Sequence, residues 1–200
     1  MNNHSIFNPK VSQDVSSKIV TGLERISEVF KLLLWKKAKH IGLSPIQIQL
    51  LIFVAFHKSE LCNVSHLAKE FNVTKPTISD AIKVLVKKEL IFKDFSPTDQ
   101  RSYTIQLTKA GKEIVAQTED FASPLKTQVD ALETAQLDDF FNTLSSLIYK
   151  LNQSELLTVQ RTCYACRFYQ KNDQNDYCNL LEAILKKQDI RLDCPEFEEK

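Results

Sequence analysis

The chain has 200 residues, 43% of them hydrophobic and only three of them Gly, enough to bury a core as one domain or two closely joined ones but too poor in glycine for a phosphate-cradling loop. Its 26 basic and 25 acidic side chains leave a formal net charge of +1, so no global field advertises nucleic acid or an anionic membrane, and any DNA-binding surface has to be local. The polar start, MNNHSIFNPK, lacks the pattern of a signal or transit peptide, and the longest apolar run, Leu50 to Phe56, falls far short of the roughly 18 to 20 residues of a membrane span; a cytoplasmic protein without membrane contact is expected.

Ile19, Leu23, Ile26, Phe30 and Leu33/Leu34 recur at three- and four-residue steps and predict a helix from about Asp14 to His40. That helix has no core partner nearby in sequence. Gly42 and Ser44-Pro45 then mark a stop and a start, predicting a second helix from Pro45 to about His57. Val64, Leu67, Ala68 and Phe71 indicate a short third helix, and Ile78, Ile82 and Leu85/Val86 a fourth. Asn72-Val73-Thr74 joins these two tightly, with Thr74 as N-cap and Pro76 in the first turn, in helix-turn-helix proportions. Ile91-Phe92 and Tyr103 to Leu107 favour strands, and Ser96-Pro97-Thr98-Asp99 is turn chemistry, so a two-stranded hairpin with a polar tip follows. Thr108 caps a further helix, and Leu137, Phe140/Phe141, Leu144, Leu147/Ile148 and Leu151 line a later one.

This order predicts a mainly α fold with a small β-hairpin wing: a winged helix-turn-helix at 43–115, flanking helical segments at 1–42 and 116–155, and a cysteine-rich tail at 156–200. A recognition helix in the major groove would present Lys75, Thr77, Ser79, Asp80, Lys83 and Lys87, with Ser65 on the preceding helix, to phosphates and base edges. On the wing, the Arg101 guanidinium suits the negative potential of a narrow minor groove and Asp99 could orient it, although on spacing alone the two make an ordinary surface ion pair. No His sits in a catalytic or metal-ligand motif, and His57 and His66 read as surface or helix-end residues; no enzyme is expected. Cys62 reads as a small buried hydrophobe, with a reactive sensor thiol as the alternative.

The run Val64 to Ser79 (VSHLAKEFNVTKPTIS), then Asp99-Gln100-Arg101-Ser102, then Leu107-Thr108-Lys109-Ala110-Gly111, resembles the pattern of the MarR family over roughly Leu43 to Val115. The resemblance implies a homodimer whose first and last helices intertwine, which makes 1–42 and 116–155 the dimerisation segments, double-stranded DNA as partner, Arg101 as the wing contact supported by Asp99, and a small-molecule effector held between the dimerisation and DNA-binding parts. One departure stands out. Where the family usually places Gly after the recognition helix this chain has Glu89, which predicts a reshaped turn and an altered wing angle.

Outside the resemblance lie Cys163-x-x-Cys166, Cys178 and Cys194-Pro195. Thiols are kept reduced in a cytoplasmic protein, so such clustering suggests ligation of zinc or of an iron–sulfur cluster, between which spacing does not choose. Phe168, Tyr169, Tyr177 and Phe197 would supply an apolar shell. Two functions follow: a sequence-specific DNA-binding regulator in which the cysteines form a structural knot or sensor, or a redox or thiol module for which the winged helix is only a protein-binding platform.

Overall fold

Asp14 opens the first helix, α1 (Val15–Ile41), by accepting the Ser17 N–H, and Gly42 closes it at φ 71°, a left-handed conformation open to a residue without Cβ. The computed structural model describes residues 5–8, 14–95, 102–171 and 175–200. A capping contact from the Ser44 N–H to Gln47 Oε1 at 2.9 Å starts α2 (Pro45–Phe56). This helix is apolar almost all round, as a central helix has to be, and buries Ile48, Leu50, Leu51 and Phe53. After a short turn at Ser59–Leu61 come α3 (Val64–Glu70), capped by Asn63, and α4 (Lys75–Lys87), capped by Thr74.

Strands β1 (Ile91–Phe95) and β2 (Tyr103–Leu107) pair antiparallel, with Ile91 opposite Leu107 and Phe95 opposite Tyr103. The Ile105 N–H also reaches the Cys62 carbonyl at 2.9 Å, which ties the free edge of the hairpin to the segment before α3. Thr108 starts α5 (Lys109–Thr118) by accepting the Gly111 N–H at 3.0 Å. Two helices follow, α6 (Ser123–Asp130) and α7 (Thr134–Gln153). A small three-stranded antiparallel sheet then forms from β3 (Tyr169–Lys171), β4 (Asp176–Cys178) and β5 (Ala183–Leu185), in that order. This sheet was not expected, because three-residue strands are too short to show an alternating pattern; α6 lies within the stretch 116–155 read as helical but has no buried residue to mark it.

One core unites α2, α3, α4, the hairpin and α5 through Leu51, Leu67, Ile78, Ile82, Leu85, Ile105 and Val115. A second, smaller core gathers Cys163, Leu185 and Ile190 with Phe141 of α7 packed against them. The α7 stripe is therefore partly used within the chain. By contrast α1 buries only Leu34 and Ala38, and Ile19, Ile26, Phe30 and Trp35 are left exposed. Among the described residues no single helix is long and apolar enough to cross a membrane.

The turn after α4 corrects the expectation drawn from Glu89. Glu89 itself adopts φ 57°, its N–H bonds to Val86 O at 2.9 Å, and the Leu90 N–H returns to Leu85 O at 3.0 Å, so the left-handed closure is kept with a side chain in it. Thr108 stabilises it from across the hairpin, donating its hydroxyl to the Glu89 carbonyl at 2.7 Å. A left-handed non-glycine residue carries roughly 1–2 kcal/mol of strain, of which glycine's extra chain entropy returns a part. Glu89→Gly is therefore expected to raise the unfolding free energy by about 0.5–1 kcal/mol in urea denaturation, and no gain would mean that the turn is unstrained.

Gly111 shows why Thr and Gly are spaced as they are after β2. Thr108 caps α5 with its side chain, and at Gly111 the first turn of that helix lies directly on the Leu90 carbonyl, where a Cβ would collide with backbone. The spacing thus fixes where α5 leaves the hairpin.

Candidate nucleic-acid interface

Helix α4 is divided between core and solvent. Ile78, Ala81, Ile82 and Leu85 are buried, whereas Lys75, Thr77, Asp80, Lys83 and Lys87 are exposed and Ser79 is half-buried. Steps of four residues place Lys75, Ser79, Lys83 and Lys87 on one stripe. Asp80 accepts Lys83 Nζ at 2.9 Å, and this bond holds the lysine above its ordinary pKa, so net positive charge on the stripe rests with Lys75 and Lys87. The Thr77 hydroxyl lies 2.8 Å from that of Thr74 and takes part in the cap. Ser65 is exposed in the first turn of α3.

The wing has an aromatic base. Phe95 and Tyr103 pack with ring centroids 5.6 Å apart, Lys93 Nζ sits 4.3 Å over the Tyr103 ring, and Phe92 is 46% exposed. Asp99 and Arg101 lie outside the described residues.

Residues 41–102 match the model of the MarR family. The matched stretch runs from the end of α1 through α4 and β1. An uncharacterised HTH-type transcriptional regulator of Bacillus subtilis, YhbI, is 28% identical over 120 residues, 58% of this chain and 77% of its own. Among solved structures, the DNA complex of S. aureus MepR superposes with a TM-score of 0.58 at 23% identity, covering 70% of this chain and 100% of that one. S. aureus MarR with salicylate and kanamycin gives 0.60 at 18%, covering 70% and 93%. These likenesses show the fold, and together with the match over 41–102 and the B. subtilis relative they support a DNA-binding transcription regulator. The reading in which the winged helix is only a protein platform is not favoured.

The tail lies beyond the matched MarR segment and is clasped to it. Arg161, only 11% exposed, donates to Glu70 of α3 through Nη1 at 2.8 Å and Nη2 at 3.1 Å, and to Asp193 through Nε and Nη2. Its guanidinium stands 5.5 Å from the Phe53 ring centroid, and the His57 ring stacks on Phe53 at 3.8 Å. His57 bridges the Phe53 carbonyl and Asp193 Oδ2, each at 2.9 Å. Burial opposes ionisation of Asp193, but hydrogen bonds from Arg161 and His57 outweigh it and hold the carboxyl below its ordinary pKa. His66 lines the adjoining cavity of about 630 Å³ between helix-turn-helix and tail, and burial lowers its pKa. His57 caps the end of α2, one of the placements the sequence suggested, but its partner Asp193 comes from the tail, far away in sequence, whereas His66 is part-buried in α3 with Glu70 3.6 Å away.

Cys62 is buried in the main core and burial pushes its thiol up to about 11, which removes the thiolate that a sensor needs. The other four cysteines border a single cavity with Phe168 and Tyr169. Phe197 instead lines the larger cavity beside His66, and Tyr177 pairs opposite Gln170 and Ile184 in the sheet.

Proposed function

We propose that the protein is a homodimeric, sequence-specific regulator of transcription that lays α4 in the major groove of two half-sites about one helical turn apart, with the wing beside it. The observation that carries this reading is the divided α4: an apolar face locked in the core and a stripe with Lys75, Ser79, Lys83 and Lys87 held outward by a capped, proline-started helix. The exposed apolar side chains of α1, Trp35 at 61% among them, support a dimer, since such a surface is covered in solution by a second chain. Arg101 carries the wing contact by the family resemblance, with Asp99 orienting it. An effector is a small organic molecule, and a cavity of about 590 Å³ between α1 and α6, lined by Lys36, Lys37, His40 and Pro124, is its place.

Selection from genomic fragments with purified protein is expected to yield a pseudo-palindromic duplex. On that duplex, Arg101→Ala should weaken binding by about 1–3 kcal/mol, and Lys87→Ala should weaken it on all sequences alike and flatten the salt dependence by one phosphate contact. A flat response of affinity to salt in the unchanged protein would rule out the proposed docking.

A further inference from the structure

The tail is too small to hold itself together by burial. Its three strands have three residues each, and the hydrophobic residues buried between 156 and 200 are Cys163, Cys166, Leu185 and Ile190. Modules of about 40 residues ordinarily need disulfides, a metal or a partner. All five cysteines of the chain are free thiols.

Cys163, Cys166, Cys178 and Cys194 come from three separate pieces of the tail, the turn at Cys163–Ala165 and its end, strand β4, and the segment after Arg191, yet they surround one cavity of about 40 Å³. Backbone bonds fix them there: the Cys166 N–H reaches Cys163 O at 3.0 Å, and the Cys163 N–H reaches Arg191 O at 3.1 Å. Donors already point at sulfur. The Arg191 N–H is 3.2 Å from Cys163 Sγ, and Arg191 Nη1 lies 3.9 Å from Cys194 Sγ, contacts that strengthen when the sulfur is a thiolate. Among the described residues no group of three or more His, Cys, Asp or Glu side chains is arranged to hold one metal ion. The cavity of about 40 Å³ between the sulfurs has room for several atoms, more than one zinc ion fills, and a cluster of iron and sulfide presents its irons outward to thiolates spread around it.

We propose that these four cysteines ligate an iron–sulfur cluster, and that the cluster governs DNA binding by ordering the segments that carry the Arg161 clasp. Each thiol releases its proton to solvent as it binds iron. The coupling follows from adjacency: Arg161 is two residues from Cys163, Asp193 is next to Cys194, and the Cys194 N–H bonds to the Arg161 carbonyl at 3.0 Å. The second half of the proposal rests on the DNA-binding reading; the first does not.

The full chain, purified without oxygen and reconstituted with ferric iron, sulfide and a thiol reductant that sets the mixed-valent state, is the sample. Expected are iron and acid-labile sulfide in equal amounts, a broad visible absorption, and loss of both in Cys163→Ser and Cys194→Ser, with Cys62→Ser as the control that retains them. Zinc alone, or no metal, in the unchanged chain overturns the cluster, a result independent of whether any variant folds. Stripping the cluster with a chelator is expected to change the affinity for the selected duplex by about five-fold or more. Equal affinity of loaded and stripped protein overturns the coupling, while failure of both forms to bind any duplex counts against the regulator reading and leaves the metal result standing.

Discussion

Gly111→Ala is expected to destabilise the winged helix by about 2–3 kcal/mol, read as a lower denaturation midpoint with an unchanged slope. The added methyl meets the carbonyl of Leu90, a backbone atom fixed from two sides: Leu90 donates its N–H to Leu85 O, and its own carbonyl accepts the Thr108 N–H at 3.1 Å. A side chain could turn away, but this carbonyl moves only if α5 lifts off the hairpin. DNA affinity should fall with stability, since the same lift tilts the wing away from α4. A variant as stable as the parent would mean that α5 packs elsewhere in solution.

Arg161→Met should undock the tail, with a loss of about 2–3 kcal/mol of docking free energy. The substitution keeps much of the apolar stem over Phe53 but leaves Glu70 and Asp193 facing each other without their shared cation. The figure lies below that of a fully buried pair because Asp193 is 49% exposed. Hydrogen exchange of 156–200 reports the release, and unchanged protection there would show that the small core, not the clasp, holds the tail. Acid should imitate the mutation. Asp193 has a depressed folded-state pKa, so its contribution is present above the ordinary carboxylate range and disappears as pH falls through that lower value.

The winged helix was legible because its signals are local. Thr74 and Thr108 announce helix starts through side chains that bond three residues ahead, and the buried positions of α4 recur with the helical period. Glu89 misled because the residue type argues against a left-handed turn, whereas the Thr108 hydroxyl, 19 residues away in sequence, bonds its carbonyl and helps to hold it there. The clasp was illegible for the same reason: Arg161, Glu70, Asp193 and His57 come from distant parts of the chain, and no periodicity relates them. The four cysteines announced themselves by type, but their gathering around one cavity is a property of the folded tail.

The tail touches two bodies at once. Its Tyr164 packs edge-on against Tyr149 of α7 at 5.9 Å, while Arg161 holds α3 of the DNA-reading head. Helix α7, head and tail therefore close a triangle, and a triangle is stiff where two helices joined by a loop would swivel. Under the proposed binding of two half-sites, a regulator braced in this way would read the distance between them as strictly as their bases: freeing the brace would leave grip on DNA as such intact while blurring the choice of spacing.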